Sequence, residues 1–470
     1  MNHCLPESGC RKEKVLFMNQ NKEFLGTEPI GRLLFRLAVP TVVAQFINML
    51  YNIVDRIYIG HIPQIGSLAL TGLGVCMPII LIVSAFAALV ASGSAPNASI
   101  SMGQKDYDRA EHILGSSAAL LLVISAVLTL ALLVFHRPLL LAFGASENTI
   151  EYAAGYMRIY ALGTVFVQLT LGLNAFITCQ GFTRISMVTV LVGAVSNIIL
   201  DPIFIFALGM GVRGAALATI LSQCASAVWC VVFLCGKKAN LRLKRSCFRL
   251  NLKLLAPCLA LGAATFIMQG SESVLFVCFN SSLLKYGGDI AVGAMTICTS
   301  VLQLAMLPLQ GIAQGAQPIL SYNFGAKNAG RVRRTFFLLL SSCMVYAFAM
   351  WLAVQLMPGV FAGIFTSDAR LILFAKGALR IYCGAVCLFG IQIACQMTFV
   401  STGNAVCSII VAVVRKFVLL IPVIYLLPHL MADQTRAVYM AEPVSDVIAV
   451  TFTAILFAYQ FRRALKKISE

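Results

Sequence analysis

The sequence predicts an all-α polytopic membrane protein with 12 transmembrane helices in two pseudo-symmetric six-helix bundles. Three observations predict it: apolar runs of membrane-spanning length recur along the chain, basic residues gather in alternate loops, and the second half repeats the first at a fixed offset. Of the 470 residues 60% are hydrophobic and 11% charged, with a mean hydropathy of +0.89. A soluble domain carries roughly a quarter charged residues.

A helix needs roughly 20 apolar residues to cross a bilayer. Stretches that meet this length have cores near 34–59, 67–91, 113–135, 151–178, 186–207, 213–235, 254–284, 290–320, 335–357, 371–400, 405–427 and 437–461. Short alternating segments, the mark of a transmembrane barrel, are lacking.

The net charge of +17 follows the loops. Of 35 Lys and Arg residues, 24 fall before the first span, after the even-numbered spans or at the C-terminus. Six fall in the other loops (Arg56, Arg137, Arg213, Lys285, Arg370 and Arg436) and five within spans. By the positive-inside rule both termini are expected in the cytoplasm, in a multi-pass protein of the cell membrane. The basic excess therefore reports topology, and no nucleic-acid partner is expected. Sixteen cysteines show no CxxC or Cys/His ligand spacing and read as small packing residues. Residues 1 to 31 lack the apolar core of a signal peptide, and Met18 is an alternative start.

The repeat is plainest in "GSAPNASISMGQKDYDRA" and "GAQPILSYNFGAKNAGRV". At an offset of 222, Gly93, Pro96, Ser99, Gly103, Lys105 and Arg109 meet Gly315, Pro318, Ser321, Gly325, Lys327 and Arg331. The same offset carries Arg158-Ile159-Tyr160 onto Arg380-Ile381-Tyr382 and Gly181 onto Gly403. An even number of spans per copy makes the repeats parallel, related by an axis along the membrane normal. The division expected is a cytoplasmic segment 1–31, an N-terminal lobe 32–236, a basic linker 237–252, a C-terminal lobe 253–462 and a tail 463–470. Two such lobes around a central cleft suit alternating access.

Charges inside membrane helices are costly, about 2.5 to 3.5 kcal/mol on insertion scales, and mark pathways or partners. Five acids fall in or beside spans: Asp55, Asp201, Glu272, Glu442 and Asp446. Asp201 follows Asn197 by four residues and Asp55 follows Tyr51 by four, so each pair shares a helical face. Should spans one and five approach, two carboxylates, a carboxamide and a phenol converge. Such a group takes up a proton near neutral pH, or holds a hard cation such as sodium among its oxygens. The competing reading of Asp201-Pro202 is a proline kink that frees the Ile198 carbonyl. Glu442 and Asp446 read as outer-boundary residues and Arg415-Lys416 as a snorkelling pair. Glu272, deep in the C-terminal half, reads equally as a substrate contact or a local hydrogen-bond partner.

These segments, with "LAVPTVVAQFINMLYNIVDRIYIG", "SNIILDPIFIFALGMGVRGAALAT" and "AEPVSDVIA", resemble the MATE family of multidrug and toxic compound extrusion transporters over residues 20 to 465. The likeness is greatest to the DinF-like branch of the MOP flippase superfamily. The resemblance implies a cation-coupled exporter whose coupling site lies in the N-terminal lobe. It implies coupling roles for Asp55, Asn197, Asp201 and Thr219, with sodium as one possible occupant, and a cavity lined by Tyr51 and Tyr156. Glu272 stands on the span where the NorM-like branch carries a sodium-linked carboxylate. The expected protein is a monomeric secondary active antiporter, not an enzyme. It would move amphipathic organic cations against protons or sodium, bend its first span near Pro40 and need no cofactor. The alternative is a flippase of lipid-linked precursors, which would want a cationic cavity.

Overall fold

The computed structural model describes residues 24–469 apart from 64 and 367. The earlier part of the N-terminal segment, with Met18, lies outside the described residues. Among those described every regular element is helical.

The first lobe comprises α1 (Ile30–Gly60), α2 (Gly66–Gly103), α3 (Tyr107–Ala142), α4 (Ile150–Leu162 and Thr164–Cys179), α5 (Thr183–Ala207) and α6 (Val212–Cys235). The two parts of α4 bend by 57° at Gly163. The helix Leu252–Gly325 is two spans: Gly288, at φ 65° and ψ −166°, separates α7 (252–287) from α8 (289–325). Then come α9 (Ala329–Leu356), α10 (Ala369–Tyr382 and Val386–Ser401, bent by 40°), α11 (Ala405–Leu430) and α12 (Gln434–Ser469). These are the twelve spans that the apolar runs predict.

The duplication reaches further than the matched motifs. Helices start at Ile30 and Leu252, at Tyr107 and Ala329, at Thr183 and Ala405, and at Val212 and Gln434. Each pair is again 222 residues apart. The turn between the second and third span of each copy is built alike. Lys105 (φ 63°) and Lys327 (φ 56°) are the left-handed residues that end α2 and α8. Asp106 and Asn328 then cap the next helix by accepting from the amides of Arg109 and Arg331.

The lobes meet through small residues. A Cβ added to Gly93 of α2 would collide with the Cys258 carbonyl of α7, and one on Gly315 of α8 with the backbone of Ala38 in α1. Gly103 and Gly325 press on backbone around Tyr322 and Ile100. At the offset of 222 the Gly103–Tyr322 and Gly325–Ile100 contacts map onto each other, and along this seam glycine lets backbones touch. Thr41 Oγ1 donates to Gly311 O across the seam at 2.6 Å, and Gln45 Nε2 to Gln314 Oε1 at 3.2 Å. Phe86 meets Phe266 edge-on at 5.1 Å.

Two chain segments brace the basic end. The short helix Phe24–Thr27 carries Leu25, fully buried. Arg331 Nη2 donates to Leu25 O (3.2 Å) and Glu28 O (2.8 Å), and Asn323 Nδ2 donates to Leu25 O (2.9 Å). The segment leading into the first lobe is thus held by the second. The linker lies on the first lobe: Leu241 N donates to Gln180 Oε1 (2.8 Å), Ser116 Oγ to Arg249 O (2.8 Å), and Lys244 pairs with the buried Glu111. That pairing holds the Lys244 ammonium above its ordinary pKa.

Candidate functional site

Helices α1 and α5 pack along much of their length, and this brings the two sequence-singled aspartates together. Asp55 lies within hydrogen-bond reach of Asp201. Asn197 Nδ2, one turn back on α5, donates to Asp201 Oδ1 at 3.2 Å. Asp201 is fully buried and Asn197 is 2% exposed. Three oxygens, Asp55 Oδ1, Asp201 Oδ2 and Asn197 Oδ1, are buried without a donor. Asn197 gives Asp201 a single amide donor and Arg56 is the charge beside Asp55, so the remaining buried oxygens are under-satisfied and the cluster has the chemistry of a proton or small-cation site.

Pro202 ends the α-helical part of α5, and the chain runs on as a π-turn over Ile203–Ala207, with Leu208 N donating to Ile203 O at 2.9 Å. The widened turn lies beside the carboxylates. Proline and aspartate are therefore one local feature, and the kink and the polar cluster coexist.

Around the pair stand aromatic rings. Tyr51, on the face of Asp55, is near enough to interact with it electrostatically, as is Tyr156 of α4. Tyr156 is 3% exposed and stacks on Tyr160 at 6.2 Å. Thr219 of α6 lies beside Tyr156, and its hydroxyl donates to Ala215 O at 3.0 Å. Its place is thus next to the phenol rather than in the hydrogen bonds of the carboxylates. Tyr160 was not singled out by sequence reasoning. Its spacing of four from Tyr156 is the signal that could have found it.

The C-terminal lobe holds a different constellation. Lys416 Nζ pairs with Glu272 Oε1 at 3.0 Å, and Arg415 Nε donates to Asp446 Oδ1 at 2.9 Å with Glu442 at 3.8 Å. Arg415 also lies over the Phe389 ring, 4.9 Å from its centroid. The expectations of a snorkelling pair and of two solvated boundary acids do not hold: Arg415, Lys416, Glu442 and Asp446 are all buried, between 3% and 8% exposed. Spans eleven, twelve and seven neutralise one another here, and a second π-turn, Val414–Leu420, presents both cations. Glu272, 59% exposed along its side chain, is the accessible member. No group of three or more His, Cys, Asp or Glu side chains fit for a metal occurs among the described residues.

Comparison with known proteins decides the kinship. The MatE family model matches residues 40–203 and again 264–426, one match per lobe. The chain belongs to the MatE family. Among MatE relatives, the "Multidrug export protein MepA" of Staphylococcus haemolyticus (strain JCSC1435) is 25% identical over 437 residues, covering 93% of this chain and 95% of that protein. The same-named protein of Staphylococcus aureus (strain N315) is 24% identical over 399 residues, 85% of this chain and 87% of its own. A MATE structure in the bent conformation superposes with a TM-score of 0.89 at 22% identity, covering 96% of this chain and 99% of the other. The MatE fold, two bundles of six spans, is therefore the fold of this chain.

Proposed function

We propose that this MatE protein is a secondary active exporter of amphipathic organic cations, driven by antiport of protons or sodium. The observation that carries the reading is the Asp55–Asp201 pair, with one donorless buried oxygen on each carboxylate and a third on Asn197. Two like charges about 4 Å apart repel by on the order of 4 kcal/mol at an effective dielectric constant of 20. A proton or sodium ion relieves that repulsion, and its departure leaves the lobe negative.

Lobes 32–236 and 253–462 would move as units about the glycine seam. The basic loops lie at the end where the lobes are closed, so with both termini cytoplasmic the present state faces outward. Entry of the coupling ion at Asp55, Asn197 and Asp201, with Thr219, Tyr51 and Tyr156 around it, would then favour release of a cationic substrate. Glu272 is the candidate substrate contact of the other lobe. The inward gradient supplies about 2.3 kcal/mol per charge per 100 mV. We take the protein to be a monomer of the cell membrane. The flippase reading loses its support, because Arg415 and Lys416 are outnumbered by Glu272, Glu442 and Asp446.

Replacing Asp201 by Asn keeps the size and the Asn197 contact but removes one ionisable oxygen. In proteoliposomes with pH and sodium gradients imposed separately, Asp201→Asn is expected to lower gradient-driven dye efflux at least tenfold at unchanged protein content. Efflux at the wild-type rate would refute the coupling role.

A further inference from the structure

A groove of about 1090 Å³ runs between α1 and α5 near the closed end of the first lobe, away from the carboxylate pair. Glu28, Arg32, Arg36 and Arg184 form its charged rim. Below them Phe35, Val39, Val43, Met187 and Val188 form an apolar wall, with Pro40 at its back. The wall is open to the surroundings: Phe35 is 73% exposed, Val39 42% and Val43 40%. A chain of arginines above an open hydrocarbon-lined slot, at the membrane boundary, has the polarity of one phospholipid.

The rim is only partly compensated. Arg36 is paired with Glu28 at 2.9 Å and lies over the Phe24 ring at 5.4 Å. Arg32 and Arg184 carry no side-chain hydrogen bond or ion pair among the described residues, which leaves three guanidinium groups against one carboxylate, a surplus of two positive charges. Guanidinium forks suit phosphate oxygens, and each basic residue near a membrane surface adds about 1 kcal/mol of attraction to anionic lipid.

The duplication supplies an internal control. At the offset of 222 the four rim positions fall on Leu250, Leu254, Cys258 and Val406. The second lobe keeps the helices but has no charge at these four positions, its nearest basic residues, Arg249 and Lys253, standing one residue earlier on other faces.

We propose that this groove is a binding site for an anionic phospholipid of the cytoplasmic leaflet, with the headgroup phosphate between Arg32 and Arg184 and an acyl chain along Phe35, Val39 and Val43. The leaflet follows from the orientation proposed above. The site is wired to the seam, because Glu28, whose side chain holds Arg36, gives its carbonyl to Arg331 of the other lobe at 2.8 Å. A phosphate that draws Arg36 from Glu28 acts on the residue that ties the lobes together.

Native mass spectrometry of the full chain, released from detergent containing phosphatidylglycerol or phosphatidylcholine, tests the site directly. Wild type is expected to retain one phosphatidylglycerol in preference to phosphatidylcholine. Arg32→Gln and Arg184→Gln should each lower that preference about fivefold, the factor that corresponds to ~1 kcal/mol per charge. Arg32→Lys with Arg184→Lys should keep most of it, and Val43→Trp should weaken retention of both lipids by filling the slot. Thermal unfolding in phosphatidylcholine, unchanged by the Gln substitutions, shows that the variants are folded. Equal retention of the two lipids by wild type, or an undiminished preference in the Gln variants, overturns the proposal. So does competition by free glycerol 3-phosphate as strong as that of the lipid, which would make this a soluble phosphate site.

Discussion

Lys327 adopts φ 56° at the end of α8, a left-handed position that glycine fills at the end of α10, at Gly403, φ 74°. A side chain in the left-handed region costs roughly 1 to 2 kcal/mol, part of which glycine gives back through the freedom of the unfolded chain. Lys327→Gly is therefore expected to raise stability by up to about 1 kcal/mol, read as a higher midpoint of thermal unfolding in detergent. A lower midpoint would show that the lysine side chain contributes contacts worth more than the strain. Single residues were unevenly legible in the sequence. The shared face of Asn197 and Asp201 followed from spacing alone, whereas their approach to Asp55 depended on two spans packing together. Thr219 came from family resemblance, and the pairing of Arg415 with Asp446 is a contact between helices that no local pattern encodes.

Among elements, α2 and α8 do the joining, and their glycines are what the seam depends on. Gly93 leaves no space for a Cβ before the Cys258 carbonyl. Gly93→Val should part the seam at this end, and Cys258, 1% exposed in the closed form, should then react with a small maleimide several times faster, measured by peptide mass mapping. Unchanged labelling would mean that the closed end yields elsewhere. Span number and approximate limits were readable because the bilayer fixes a minimum apolar length. The break at Gly288 fell between two apolar cores and the distortion of α5 was legible as a kink at Pro202, while the bend of α4 and the π-turn of α11 passed unseen, since helix geometry within a continuous apolar run answers to tertiary packing.

At the scale of the molecule, the lobes are joined both by the linker and by the seam, and these can be separated. Lys237 and Lys238 are exposed in the linker, whereas Glu111, Gln180 and Ser116 fasten the rest of it to the first lobe alone. Brief trypsin treatment after these lysines is expected to leave the two halves eluting together in size-exclusion chromatography. Their separation would show that the seam contributes little without the covalent tie. The two copies keep their helix starts in register and have diverged in charge, with two acids near each other in one lobe and a five-membered network in the other. The common frame was legible as a repeat. The divergence was legible as a list of charged residues, though not as a network.

The grip of Arg331 and Asn323 on Leu25 and Glu28 bears on how the protein should be handled. A fluorescent or affinity domain joined immediately before residue 24 would hang on the strap between the lobes, and its drag or bulk would bias the proposed motion it is meant to report. The C-terminal helix, which belongs to one lobe throughout, is the neutral place for a label.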